Sequence, residues 1–143
     1  MYQSDAIMSP TDRLYKIVLW IQGCYFLITG VWPLIDVQSF QFVTGRKTDH
    51  LVTGREGDHW LVLCVGALVT ALAVGFLFAA WKGRPATEVV VFAIASAAAL
   101  AAIDSIYVMR GAIAPIYLVD AALEASFIGL WTVYFYRVRR DSR

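Results

Sequence analysis

The chain has 143 residues and a formal net charge of +1, with 59% hydrophobic and only 16% charged residues. A soluble domain usually carries about a quarter charged residues; here the apolar residues fall in long runs, so the solvent for most of the surface is lipid. Charges sit at segment ends and form no basic face, which excludes a nucleic-acid partner, and the length allows one bundle, residues 1–143, rather than two domains.

Residues Met1 to Asp12 are short, polar and mixed and read as a cytoplasmic tail. Ser9 offers an N-cap for the first apolar segment. That first span is expected from Leu14 to Ile35, with Arg13 and Lys16 at its start and Trp32-Pro33 as interface anchor and helix stop. A cleaved signal peptide is the rival reading, but no small-x-small pattern follows the apolar run. Gln22, Thr29 and Asp36 recur every seven residues, share one side of the helix, and are expected to face the bundle interior.

The next stretch, Asp36 to His59, is irregular in composition and reads as a loop. It holds a tandem nonapeptide, VTGRKTDHL from Val43 to Leu51 and VTGREGDHW from Val52 to Trp60. Two copies are too few for a solenoid. A duplication tolerated in a surface loop explains it; the sharper reading is a metal held by His50, His59, Asp49 and Asp58, but neighbouring Asp-His residues point apart on most backbones. Cys24 and Cys64 fall within predicted spans and read as packing residues. With no CxxC pair or zinc-spaced cluster, neither a metal site nor a cofactor is expected.

The second span is expected from Trp60 to Trp81, with small residues Gly66, Thr70, Ala71 and Gly75 at four-residue spacing, a pattern that permits close helix approach in lipid. Lys82-Gly83-Arg84-Pro85 ends it. The third span, Glu88 to Met109, is alanine-rich from Ala95 to Ala102 and then carries Asp104, Ser105 and Tyr107 before Arg110-Gly111, where Gly111 is a C-terminal stop. The fourth, Pro115 to Tyr136, opens on a proline suited to a first helical turn. Tyr117, Asp120 and Glu124 lie three and four residues apart on one face, continued by Phe127 and Trp131, and Tyr134 and Tyr136 suit an exit belt. The fold class is therefore an all-α membrane protein, a four-transmembrane-helix bundle.

Lysine and arginine set the expected topology. Arg13, Lys16, Lys82, Arg84, Arg137, Arg139, Arg140 and Arg143 share one side if there are four spans; the other side has Arg46, Lys47, Arg55 and Arg110. The first side is cytoplasmic, and both termini face in.

Asp104 then lies roughly 9 Å below the Arg110 turn, Asp120 about 7–8 Å below the same surface, and Glu124 a turn deeper. Three carboxylates share one outer half-layer, where an ionised acid costs at least ~2.5 kcal/mol. Protonation, a salt bridge from Arg110, or water entering from outside would each relieve this. The first suits proton binding, a wet acidic pocket suits a cation or amine, and acids beside Tyr107 and Tyr117 suit acid–base chemistry on a lipid-soluble substrate. A hydrogen-bond network that holds spans together, with Gln22, Thr29 and Ser105 as partners, is the structural alternative. Arg110 is equally compatible with snorkelling to phosphates.

The run GVWPLIDVQSFQFVTGRKTDH with the following HWLV resembles small bacterial four-span membrane proteins in which a VTGxKTD motif precedes a Trp-Leu-Val helix start; here the duplication splits it, Lys47-Thr48-Asp49 lying in the first copy and Trp60-Leu61-Val62 after the second. The resemblance implies a bacterial inner-membrane location. At the level of architecture the chain is similar to the DoxX-like proteins and to EXPERA-type sterol isomerases and receptors, the latter also burying acids in a small bundle.

The leading expectation is a non-enzymatic inner-membrane protein whose outward acidic pocket, formed by Asp104, Asp120, Glu124, Arg110, Tyr107, Tyr117 and Gln22, binds a proton, a cation or a small amphipathic ligand. An accessory role in a membrane complex fits the same features. An enzyme acting on lipid or isoprenoid would use Asp120 or Glu124 as acid–base, though no intramembrane histidine, Ser/His pair or metal box supports it. A homo-oligomeric scaffold would use the Gly66/Thr70 and alanine-rich faces. The inner half of the bundle offers few polar groups to continue a path, which favours binding over transport.

Overall fold

The computed structural model describes residues 9–44 and 59–141. Among these residues five helices follow one another: α1 (Pro10–Ile35), α2 (Val37–Thr44), α3 (His59–Lys82), α4 (Thr87–Met109) and α5 (Tyr117–Asp141). Four of them, α1, α3, α4 and α5, are long and apolar enough to cross a membrane.

Helix boundaries follow from local chemistry. Ser9 caps α1, its hydroxyl accepting from the Asp12 amide at 3.0 Å. Pro33 does not stop the helix as expected. It lies within α1, and the chain turns at Asp36, whose carboxylate accepts from the Gln38 and Ser39 amides and starts α2. Asp36 is therefore an exposed cap and not an inward-facing group, and the first eight residues after it are helical where a loop was expected. Most of the nonapeptide duplication, including His50, Asp49 and Asp58, lies outside the described residues, so the metal reading of that loop does too; only the His59 backbone enters α3.

The α4–α5 connection ends α4 in a Schellman arrangement. Gly111 takes a φ of +68°, the Gly111 amide donates to the Val108 carbonyl at 2.9 Å, and the Ala112 amide to the Tyr107 carbonyl at 3.0 Å. Pro115 falls in a tight turn before α5, whose first bonds span three residues (Leu118 N to Pro115 O, Val119 N to Ile116 O). At its far end α5 runs through the arginines to Asp141, where basic side chains complement the helix dipole.

The helices are antiparallel neighbours. Thr11 at the start of α1 donates to Asp141 at the end of α5 at 2.8 Å, and Gly30 near the end of α1 meets Gly66 near the start of α3. Both described chain ends and the α3–α4 turn therefore share one end of the bundle, the terminal end; α2 and the α4–α5 turn share the other, the loop end. α1 is central, packing chiefly on α3 and also on α5, while α4 pairs with α5.

The α1–α3 contact depends on missing side chains. A Cβ on Gly30 would sit 2.7 Å from the Thr70 backbone nitrogen, one on Gly66 2.8 Å from the Gly30 carbonyl, and one on Gly23 2.9 Å from Leu77. The Gly66/Thr70 face is thus occupied within the chain and is not free to pair with a second copy. Gly75, by contrast, is exposed with nothing near its Cβ position. Cys24 and Cys64 are free and exposed on the apolar outside, not packed within the bundle. Tyr134 is also displaced from its expected role: it is buried against Tyr15 and Trp131, and Tyr136 alone of the two is exposed.

Two substitutions separate close approach from helix propensity. Gly30→Ala forces backbone apart and should destabilise by about 1–3 kcal/mol, seen as a lower thermal midpoint in mild detergent. Gly75→Ala meets nothing and should leave the midpoint unchanged or raise it, because alanine is the better helix former.

Candidate intramembrane acidic site

The buried stripe of α5 has helical spacing: Ala121, Glu124, Phe127, Trp131 and Tyr134. α1 presents Tyr15, Val18, Leu19, Gln22 and Phe26 to the interior. Where these stripes meet, polar groups are stacked in layers along the bundle axis.

At the middle lies Gln22, fully buried. Its amide nitrogen donates to the Ala93 carbonyl of α4 at 2.9 Å, and its amide oxygen accepts from the Trp131 indole of α5 at 2.9 Å. Small residues at Ala93 and Ala97, both fully buried, let the side chain reach the α4 backbone. Both functional ends of one amide are used, joining three helices.

Toward the loop end lie the acids. The Tyr25 hydroxyl of α1 donates to a carboxylate oxygen of Asp120, and the Tyr25 ring packs on Phe127 with centroids 5.8 Å apart. Glu124 is 0% exposed, and neither of its oxygens has a hydrogen-bond partner. Asp120 and, from α4, Asp104 lie within electrostatic range of it. Asp104 is itself buried, at 8% exposure. The three acids predicted to share a layer are thus brought together, on α4 and α5 with α1 supplying the tyrosine. They do not converge on one point: no group of three metal-ligating side chains is present among the described residues.

The remaining predicted site residues divide. Tyr117 is half-buried at the mouth of this layer, its hydroxyl directed toward Thr44 of α2 and near Asp104 without a well-formed hydrogen bond. Arg110 is exposed and lies over the Tyr107 ring, 5.8 Å from its centroid, and Tyr107 is 40% exposed. These two form a surface pair. Thr29 bonds backwards to the Tyr25 carbonyl of its own helix. An open groove of about 550 Å³ lies elsewhere, between α1 and α2, lined by Leu27, Val31, Trp32, Ile35, Asp36 and Ser39. None of the three acids lines it.

Toward the terminal end the interior is aromatic but not apolar throughout. Tyr15 is fully buried and packs on Trp131 and Tyr134 at centroid distances of 5.9 and 5.8 Å. Its hydroxyl faces the Ala86 backbone and Glu88 of α4. The expectation of few polar groups in this half does not hold, since Tyr15 and Tyr134 turn inward. Tyr25, the hydrogen-bond donor to Asp120, was missed from sequence, as was Tyr15. Each stands three residues from an inward-facing one, Tyr25 from Gln22 and Tyr15 from Val18, which is the available signal.

Comparison with protein-family models, with curated proteins and with solved structures finds no match to this chain.

The central amide is testable by a double-mutant cycle. Gln22→Leu strands the Trp131 indole N–H in the core and should cost about 1–2 kcal/mol in detergent. Trp131→Phe in that background should cost less than it does in the wild type, by on the order of 1 kcal/mol, the range measured for interhelical hydrogen bonds in membranes.

Proposed function

We propose that this is an integral protein of a bacterial inner membrane whose loop-end acids form an outward-facing proton-binding site, with Glu124 as the group that carries the proton. The observation that carries this reading is Glu124 itself: fully enclosed, with no hydrogen bond to either oxygen, and with two more carboxyls nearby. An ionised carboxylate in that position would have neither water nor a donor to offset its desolvation. A proton on the carboxyl removes the charge and needs no cavity.

The other ligands considered are supported less. A metal ion would need several oxygens at one point, which the spacing of the acids does not supply. A small amphipathic molecule would need a space beside the acids, and none of the acids lines the groove between α1 and α2. Chemistry on a lipid-soluble substrate would need an entrance lined by Tyr107, Tyr117, Phe127 and Trp131. Phe127 and Trp131 instead fill the core, and Tyr107 stands on the surface. Asp120 has a distinct role in this reading. With one oxygen held by Tyr25 and half-exposed, it lies between Glu124 and the loop end and is the group through which a proton reaches it.

The test is infrared difference spectroscopy of the protein in lipid under pH change. The carbonyl stretch of a protonated carboxyl should be present at neutral pH and vanish in Glu124→Gln, while Asp104→Asn retains it. Glu124→Gln should also melt at the same temperature as wild type or higher, because a neutral amide replaces an acid that lacks a partner. An unchanged carboxyl signal in Glu124→Gln would remove the assignment.

A further inference from the structure

Polar groups occupy the interior along most of its length, and one layer differs from the rest in what it can do with a proton. Relay along hydrogen bonds requires groups that both accept and donate. Carboxyls and tyrosine hydroxyls do both; an indole N–H only donates, and an amide nitrogen does not accept. On the loop side of the middle stand Asp104, Asp120, Tyr25 and Glu124; on the terminal side stand Tyr15 and Tyr134, with Glu88 and Asp12 in electrostatic range of them. Between the two groups lie the Phe127 ring and the Gln22 amide, clamped between the Trp131 indole and the Ala93 carbonyl.

We infer that the Gln22–Trp131 pair is a proton barrier: it separates the Glu124 site from a second, terminal-end set of proton-exchanging groups and makes that site accessible from one face of the membrane only. This rests on the proton-binding reading of Glu124 and adds its sidedness. Among the described residues, the titratable groups acting on Glu124 (Asp120 on its own helix, Asp104 from α4, and Tyr25 from α1 through Asp120) stand on the loop side of that pair. Gln22 is buried to 0% exposure, as is Trp131, so the amide–indole pair is enclosed by the helices around it. Tyr15, also at 0%, packs directly on the other side of Trp131, with its hydroxyl oxygen lacking a well-formed hydrogen bond. Among the described residues, the amide and the indole bonded to it form the polar link between the two sets, and neither both accepts and donates at one atom.

The barrier is tested by one isosteric change. In Gln22→Glu, the neutral acid keeps both interactions, its O–H donating to the Ala93 carbonyl and its C=O accepting from Trp131, yet it can take up one proton and release another. Proteoliposomes carrying wild-type protein should hold an imposed pH gradient. Those carrying Gln22→Glu should lose it on the order of tenfold faster, and adding Glu124→Gln should restore the wild-type rate. Gln22→Leu, which fills the position without an exchangeable proton, should hold the gradient as wild type does. Thermal melting of each variant establishes that it is folded, and Gln22→His serves as the second exchanging variant should Gln22→Glu melt early. A wild type that already dissipates the gradient, folded exchanging variants that hold it, or a leak that persists without Glu124 would each overturn the barrier. The infrared carboxyl signal of Glu124 is read on the same samples. If it is present while the exchanging variants hold the gradient, the barrier fails and the proton-binding site stands; if it is absent, the site itself fails.

Discussion

One buried amide holds the bundle in register. In lipid, apolar side chains gain little by touching one another instead of acyl chains, so helix order comes from close packing and from hydrogen bonds across helices. Gln22 supplies the second. By donating to an α4 backbone carbonyl and accepting from an α5 indole, it fixes both the rotation of α1 and its height against the α4–α5 pair. The adjacent Gly23 and, two turns on, Gly30 supply the first, letting α3 lie against the opposite flank of α1. The same helix therefore presents a hydrogen-bonding edge to one pair and a smooth edge to the other. Rotating it would break both at once, and this is why α1 has the largest buried share of the four spans.

That double role explains what was legible in the sequence. Apolar length and terminal charges specify the four spans to within a few residues, and Gly111 marks a helix end because only a left-handed residue closes a Schellman turn readily. The acid face of α5 was legible from spacing alone, since three- and four-residue offsets fix a common side whatever the neighbours are. What spacing does not give is which neighbour a face meets. Gly66 and Thr70 were visible as a contact surface, but their partner is Gly30, which sits among large residues and only becomes a contact once α1 is rotated by Gln22. Tyr134 resembled an interface residue because it stands near arginines; its burial follows from continuing the stripe of Trp131 inward. Pro33 shows the limit of local rules. Its ring packs toward Gly66, and the helix continues past it because only one carbonyl loses a donor while the contact with α3 is kept.

Within the acid layer it is Glu124 that has no hydrogen-bond donor at either oxygen. Tyr25 has one hydroxyl proton and gives it to Asp120. The Tyr117 hydroxyl is directed toward Thr44 and lies near Asp104. A structural role for Glu124 would require a partner, and an apolar residue of similar volume would pack the same space without desolvating a carboxyl. Holding an acid there without a donor therefore has a cost to folding with no structural return in the observed contacts, the pattern expected where a site is kept for what it binds. A proton resolves the mismatch in the simplest way, because it converts one acceptor-only group into one that can also donate. The asymmetry along the bundle then has a physical sense. Toward the loop end, Asp120 is half-exposed and Glu124 lies about one helical turn deeper, a short step for a proton. Toward the terminal end, Phe127, the amide–indole pair and the Tyr15 ring fill the interior, each of them buried, with Tyr15 packed on Trp131. The interaction that orders the helices is thus also the one proposed to close one side of the site, so the two properties cannot be varied independently at Gln22 except by a side chain of the same shape and different proton chemistry.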